Sequence, residues 1–299
     1  MSLTVLAVLH PDGPALADPG APLLRADDPG VLRGESVFET VRVAGGRPAF
    51  LDRHLARLQR SADRLELALP AGWEELSAVA VDAWDAPDGV LRLVCSRGGA
   101  AFALVTAVPA ETVRGREQGV AAMTLTLGVP AGLRTEAPWL LGGVKSTSYA
   151  VNMAALRVAA AAGVQDAVFV STDGEVLEAP TATCAWVRGG QLVTPPPEGV
   201  AILPGTTMDV VLELCGELGV PYEVRRGTVE ELRGADEVLL TGSIRGVAPV
   251  VELDGRALPV GDVTRRLRDA FEQRVGAQPS RHVAPVSTGP SRASGTLDG

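Results

Sequence analysis

One lysine, Lys145, stands among 27 basic residues in this chain, and all the others are arginines. Arginine stays protonated and cannot act as an amine nucleophile, whereas a buried lysine can shed its proton and condense with a carbonyl. A single amine kept in an arginine background is therefore a candidate for chemistry rather than for charge. It lies in VKSTSYAVNMAAL, where an irregular stretch meets a helical pattern. Tyr149 follows four residues later, on the same face of a helix running over 146–162. A phenol there can hold a proton or bond an oxygen of a bound molecule.

Three further features carry chemistry. In DGEVLEAPTATCAW, Glu178 leaves a strand into a turn of small residues, which suits a cleft, although a solvated surface carboxylate has the same appearance. In ILPGTTMDVV, a Pro-Gly turn opens a helix at Thr206 and Thr207. Free backbone N–H groups, hydroxyls and the positive end of the dipole make an anion site there. In LLTGSIRGVAPV, a strand runs into Thr241-Gly242-Ser243, with Ile244 and Arg245 next, and small residues let a phosphate approach the backbone. An amine, a carboxylate and two phosphate cradles point to pyridoxal 5'-phosphate (PLP). The lysine would form the Schiff base and the carboxylate would keep the pyridine nitrogen protonated.

The bulk properties narrow the class. Of 299 residues, 46% are hydrophobic, 21% charged and 4% aromatic, which is a globular composition with a Val/Leu/Ala core. A net charge of −9 disfavours nucleic acid as a partner. The N-terminal apolar run is broken at His10-Pro11 and lacks a basic start, so no signal peptide is expected, and no run is long enough to span a bilayer. Cys95, Cys184 and Cys215 are too scattered for a metal site or a disulfide framework, so no metal is expected and a cytoplasmic setting fits.

The elements that must position these residues read as follows. LTVLAVLH is a strand, followed by a Pro/Gly/Asp-rich loop to Gly34. SVFETVRV and RPAFL form a hairpin about Gly45-Gly46. Residues 52–66 are helical, with Leu55, Leu58, Ala62 and Leu65 on one face and Arg53, Arg57, Arg60 and Arg64 on a stripe that reads as solvated. A helix over Trp73–Trp84 precedes strands VLRLVCS, FALVTAVP and VAAMTLTLG. An irregular Pro/Gly stretch reads as a linker. Beyond it come the helix over 146–162, hairpins DAVFVST/EVLEA and TCAWV/QLVT, a helix over Thr206–Leu218, strands PYEVRR, DEVLLTG and GVAPVVELDG, and a helix over 262–275. The mixture is α/β of the α+β kind. The Pro/Ser/Gly-rich end, 276–299, is expected to be disordered.

The ordered series GESVFETVRV, FLDRHLARLQRSA, KSTSYAVNMAALR, DAVFVSTDGEVLEAPTATCAW, LVTPP, ILPGTTMDVV and DEVLLTGSIRGVAPV resembles the class IV aminotransferases, the fold-type IV PLP enzymes. The resemblance implies two domains with the cofactor in the cleft between them. On this chain they are expected at 1–126 and 145–275, with 127–144 as linker. It also implies a homodimer. Lys145 becomes the Schiff-base lysine, with Tyr149 beside it, and Glu178 the partner of the pyridine nitrogen. Arg57, in His-x-x-Arg-Leu, becomes the phosphate arginine despite lying on the solvated stripe. Thr206, Thr207, Ser243 and Ile244 complete the cofactor site. The segments around Lys145, Glu178 and Ser243 look closest to aminodeoxychorismate lyases, which implies formation of 4-aminobenzoate and pyruvate. A branched-chain or D-amino-acid aminotransferase is the alternative, and a non-catalytic PLP-binding homologue a remoter one. A substrate bearing an amine and carboxylates needs cations, for which Arg92, Arg97 and Arg245 are the candidates.

Overall fold

Short Val- and Ala-rich runs, broken by glycine turns, build two sheets with helices packed against them. The computed structural model describes residues 4–277. The first sheet contains β1 (Thr4–His10), β2 (Gly13–Ala17), β3 (Ser36–Ala44), β4 (Arg47–Pro48), β5 (Gly89–Ser96) and β6 (Ala101–Thr106), in the order β2-β1-β6-β5-β3-β4, all antiparallel. The second contains β7 (Val120–Thr126), β8 (Asp166–Val170), β9 (Thr183–Arg188), β10 (Gln191–Thr194), β11 (Tyr222–Val224), β12 (Glu237–Gly242), β13 (Gly246–Leu253) and β14 (Arg256–Ala257). Its order is β11-β10-β9-β12-β13-β7-β8, with β14 on β13, and its pairs are both parallel and antiparallel. The helices are α1 (Pro29–Arg33), α2 (Leu51–Arg64), α3 (Trp73–Asp82), α4 (Ala110–Gln118), α5 (Leu133–Glu136), α6 (Ala150–Ala161), α7 (Pro197–Val200), α8 (Thr206–Leu218), α9 (Val229–Arg233) and α10 (Asp262–Gly276). None of them is long and apolar enough to cross a membrane.

The mixed α/β architecture agrees with the sequence reading, and several local expectations need correction. The supposed loop before Gly34 holds β2 and α1, and α4 and α9 have no counterpart in the sequence reading. EVLEA forms only isolated bridges, Val170 to Val176, Glu175 to Thr228 and Ala179 to Ala182, rather than a strand. The domain range 1–126 placed VAAMTLTLG with the N-terminal strands, but β7 pairs with β13 and β8 in the second sheet. Local pattern encodes a strand and not the sheet it joins, so the boundary at 126 does not follow the sheets. The linker is itself structured, since α5 and a 3₁₀ turn at Pro138–Leu140 lie within it. Of the C-terminal segment, α10 reaches Gly276, and 278–299 lie outside the described residues.

The hairpin between β3 and β4 turns where expected. Gly45 and Gly46 have φ of +57° and +71°, both left-handed, as a two-residue turn between twisted strands requires. Along β3, Val37, Val41 and Val43 share a side and pack with Leu91, Leu93 and Leu76 in one core. Leu58 and Ala62 of α2 close that core, and both are fully buried. The arc that α2 buries is Leu51, His54, Arg57, Leu58, Ser61 and Ala62. Arg57 thus leaves the arginine stripe, while Arg60 and Arg64 stay exposed.

Truncating Leu58 to alanine removes a side chain with no exposed surface and leaves a cavity between α2 and β3. The expected cost is about 2–5 kcal/mol. Urea unfolding followed by circular dichroism should show a lower midpoint, and an unmoved midpoint would remove Leu58 from the core.

Candidate active site

Lys145 is positioned by the first sheet and not by a helix. Its carbonyl accepts from the Phe38 amide (3.1 Å), Thr147 N donates to the Ser36 carbonyl (2.9 Å), and Val37 and Ser146 form an antiparallel bridge. Ser61 of α2 accepts from the Lys145 amide (3.1 Å). The residues after the linker therefore lie along the start of β3, and α6 begins only at Ala150. This corrects the expected helical relation of Lys145 and Tyr149. Their neighbourhood arises through Phe38 instead. The amine lies 4.3 Å from the Phe38 ring centre and 5.6 Å from that of Tyr149, and the two rings meet edge to face at 5.3 Å.

Lys145 is 9% exposed, and its amine opens on a cavity of about 600 Å³. Burial brings its pKa down to about 8, and the charges of Arg57 and Arg92 push the same way against Glu39 and Glu178. A neutral, nucleophilic amine is thus accessible near neutral pH. Tyr149 goes the other way, up to about 12, through burial and the nearby Glu178, so it remains a phenol.

Glu178 faces the same cavity. Phe169 N donates to its carbonyl (2.8 Å) and the Phe169 carbonyl accepts from Leu177 N (2.9 Å), which ties this segment to β8. One carboxylate oxygen accepts from Leu203 N (3.0 Å), and the other lies 3.5 Å from Arg134 of α5. Burial pushes its pKa up, against the opposing pull of Arg134, the Leu203 N–H and Lys145. A carboxylate so placed can accept from a ring N–H.

The third corner is the start of α8. Its N-cap, Gly205, has no side-chain capping bond, so the first N–H groups point outward. A Cβ at Gly205 would come 2.3 Å from Thr183 Oγ1, so only glycine lets this turn approach so closely. Thr206 and Thr207 are buried beside it and line the cavity, as do Ser243 and Ile244. These uncapped amides and hydroxyls fit a phosphate, Glu178 fits a pyridine nitrogen, and Lys145 fits an aldehyde. The cavity thus has the donors and acceptors that PLP requires.

Beneath this cradle lies a buried group the sequence reading did not single out. Glu39 has no exposed surface. Arg57 meets it through two N–H groups, Nε to Oε1 at 2.7 Å and Nη2 to Oε2 at 2.8 Å. His54 Nδ1 lies 2.7 Å from Oε2. Burial alone would raise the Glu39 pKa, but Arg57 and His54 overcome it and hold the carboxyl well below its ordinary range. Arg57 also donates to the Pro204 carbonyl (3.0 Å), which joins α2 to the turn before α8. Two signals could have exposed this group. Glu39 shares its strand parity with Val37, Val41 and Val43, so it had to point inward, and His54 and Arg57 stand three apart on the next helix.

The substrate arginines divide three ways. Arg92, opposite Thr40 in the β3–β5 register, lines the cavity and forms no ion pair among the described residues. Arg245 also lines the cavity, but Asp166 holds it at 2.6 Å and Thr181 at 3.4 Å, so its charge is already matched. Arg97 does not reach the cavity. It pairs with Glu35 and donates to the Leu65 carbonyl at 2.6 Å, past the end of α2. It was a candidate as a cation close to the same strand as Arg92, but β5 ends at Ser96 and the chain turns away. Arg134, from the supposed linker, is a cavity cation with no sequence signal.

A family model described as Amino-transferase class IV matches residues 36–253. The chain is 40% identical over 280 residues to the bifunctional aminodeoxychorismate lyase / D-amino acid transaminase of Mycobacterium tuberculosis, covering 87% of this chain and 96% of that one. Among solved structures it is similar to a hypothetical aminotransferase from Mycobacterium tuberculosis. The PLP-bound form superposes with a TM-score of 0.86 at 37% identity, covering 91% of this chain and 99% of that one. The form bound to alpha-ketoglutarate and PMP gives 0.86 at 38% identity, covering 91% and 98%.

The lowered lysine pKa has a direct readout. Only the neutral amine reacts with an acylating reagent, so the rate at Lys145 should climb with pH through about 8 and level off above it. Mass mapping separates this residue from the N-terminal amine. A rate that kept climbing toward the ordinary lysine range, about 10.4, would remove the buried-amine account.

Proposed function

The chain belongs to the class IV aminotransferases and is a PLP-dependent enzyme, and we propose that it converts 4-amino-4-deoxychorismate to 4-aminobenzoate and pyruvate. The observation that carries this reading is the meeting of the only lysine amine with a cavity of about 600 Å³ that is lined by arginines from separate segments. That space is of the size that holds a cofactor and a small anionic substrate together. The 40% identical relative, named for the lyase and for D-amino acid transamination, supports the same reading.

In this proposal PLP supplies an aldehyde that condenses with amines and a ring that accepts electrons. Lys145 would hold the aldehyde, and its amine, when free, would take the proton from the substrate carbon next to nitrogen and carry it to the departing enolpyruvyl group. Glu178, as a carboxylate, would accept from the ring N–H and keep that nitrogen protonated. Against burial, Arg134 and the Leu203 N–H favour its ionised form. The α8 turn and Ser243 hold the phosphate, with the Arg57 pair beneath them. The Ile244 backbone follows Ser243 along the same wall, where its carbonyl accepts from Arg116. The Tyr149 phenol keeps its proton and walls the amine on one side. Arg92 takes a substrate carboxylate, with Arg245, already matched by Asp166, and Arg134 adding field rather than a free contact. Arg97 has no part in it. We place this enzyme in the cytoplasm as a homodimer.

Transamination is the second reading, favoured by the solved relative that holds alpha-ketoglutarate. Both reactions need the same amine and the same proton transfer, so one pocket can run both. They part at the acceptor. A lyase releases pyruvate from aminodeoxychorismate with no 2-oxo acid added, whereas a transaminase exchanges amino groups in ping-pong fashion.

A side-by-side assay of 4-aminobenzoate formation and of D-amino acid/2-oxoglutarate exchange decides between them. Brisk exchange with no 4-aminobenzoate would overturn the lyase and leave the transaminase standing. Arg92→Gln should raise KM for the substrate and lower kcat/KM roughly tenfold, the scale for losing one charge-assisted contact. Unchanged kinetics would remove Arg92 from substrate binding.

A further inference from the structure

The phosphate cradle has an imbalance of charge. Arg57 is the cation nearest the α8 turn, yet Glu39 matches it through two hydrogen bonds. A phosphate ester above its second pKa, about 6, carries two negative charges. Set beside an already neutral pair, it would lack a counter-charge from that side. The cradle has a second imbalance, of protons. His54 is 2% exposed, and its Nε2 lies 3.2 Å from Ser243 Oγ and 3.4 Å from Thr206 Oγ1. Nδ1 faces the Glu39 carboxylate, which can only accept, so Nδ1 carries the hydrogen. In a neutral ring Nε2 is then an acceptor, and it draws a hydroxyl hydrogen toward itself and away from any phosphate.

We propose that His54 is a positioning residue that takes up a proton when the cofactor phosphate binds. As imidazolium, its Nε2–H donates to the Ser243 and Thr206 oxygens, which frees both O–H groups to point at the phosphate. The same proton supplies the missing positive charge. One proton moves from solvent to Nε2, and no bond between heavier atoms forms or breaks. The inference rests on the reading above that the phosphate lies at Thr206, Thr207 and Ser243.

The groups around His54 agree. From β3, Glu39 favours the proton. From α2, Arg57 opposes it, and so does Lys145 from the segment along β3. A narrow gap behind the ring is lined by Arg42, which Glu272 of α10 holds at 2.8 Å. The hydroxyls of Thr206 and Ser243 carry no charge. Among these protein groups burial is the largest influence and lowers the His54 pKa, which favours a neutral ring when no phosphate is bound. A dianion two bonds away reverses that balance. The sign follows: the bound-state pKa lies above the free one, so between the two values phosphate binding weakens as pH rises.

The test uses the full chain as holoenzyme and after removal of cofactor. The sequence has three histidines, His10, His54 and His282, so a His10→Gln/His282→Gln variant keeps one imidazole to observe. Nitrogen-15 histidine NMR near pH 7.5 should show a neutral ring with hydrogen on Nδ1 in the stripped protein and an imidazolium in the holoenzyme. Pyridoxine 5'-phosphate, which has no aldehyde, should produce the same change in the stripped protein. Calorimetry in two buffers of different ionisation enthalpy should show proton uptake on binding this probe. Lys145 also faces the cavity and contributes some uptake, so the parent is compared with His54→Gln, which should lose most of it and bind the probe roughly tenfold more weakly at pH 7, the equivalent of one pKa unit. A neutral His54 in a holoenzyme whose Thr206, Thr207 and Ser243 amides shift on binding overturns the proposal and leaves the phosphate site intact. If those amides and His54 are all unmoved, the phosphate lies elsewhere and both readings fall.

Discussion

The Glu39 carboxylate, fully buried and ionised, is the constraint on which the site depends. A carboxylate withdrawn from water must be matched in charge and filled with hydrogen bonds. Arg57 and His54 do both from one turn of α2, which fixes that helix in rotation and height against β3. The bond from Arg57 to the Pro204 carbonyl then carries the same constraint to the start of α8. The first sheet, its helix and the turn before α8 are thereby held by one side chain. Removing one partner of such a buried pair typically costs about 3–5 kcal/mol, much of it for the charge left alone. The hydrophobic cores on either side give bulk stability, but they would tolerate small rotations that this group does not.

Lys145 is fixed by a different kind of constraint. Its backbone is held by pairing along β3 and its side chain by the ring of Phe38, so the amine has little freedom. The aromatic face offers a weak attraction to an ammonium but none of the hydration that water would give. Burial therefore governs its pKa, and the amine becomes available near neutrality. The strand parity that buries Val37 and Val41 against α2 and α3 turns Phe38 and Thr40 toward the cavity. One alternating segment thus builds the core on one side and the floor of the site on the other.

Much of this was legible in the sequence, and the failures have a common cause. The residues that the structure gathers on one cavity were singled out where the local pattern is itself distinctive: an isolated lysine, a Pro-Gly-Thr-Thr helix start, a Gly-Ser turn. What sequence reading misjudged was long-range partnership. Arg57 looked solvated because its stripe-mates are, and only the inward-pointing Glu39 of a distant strand draws it in. Arg245 looked free because Asp166 stands 79 residues earlier, on a strand whose place in the sheet no local pattern reveals. Arg97 looked like a cleft residue because its strand faces the cleft, yet the strand ends one residue before it. Strands β7 and β8 illustrate the same limit, since their parallel pairing joins segments separated by the whole irregular stretch and α6.

These partnerships also explain why the cations of the cleft are arginines. Arg57 is held by Glu39, Arg134 approaches Glu178, and Arg245 is held by Asp166. Guanidinium groups stay charged throughout the working pH range, so their pairs impose a field that does not change as pH does. A lysine in any of these places would titrate when buried, and its amine would compete for an aldehyde. With arginine at the other cationic positions of the cleft, the basic side chains there that can give up a proton are the Lys145 amine and the His54 imidazole. One faces the reacting end of the cavity and the other lies under its anion-binding end. Burial then leads in setting the amine's pKa, with Arg57 and Arg92 as fixed positive charges beside it.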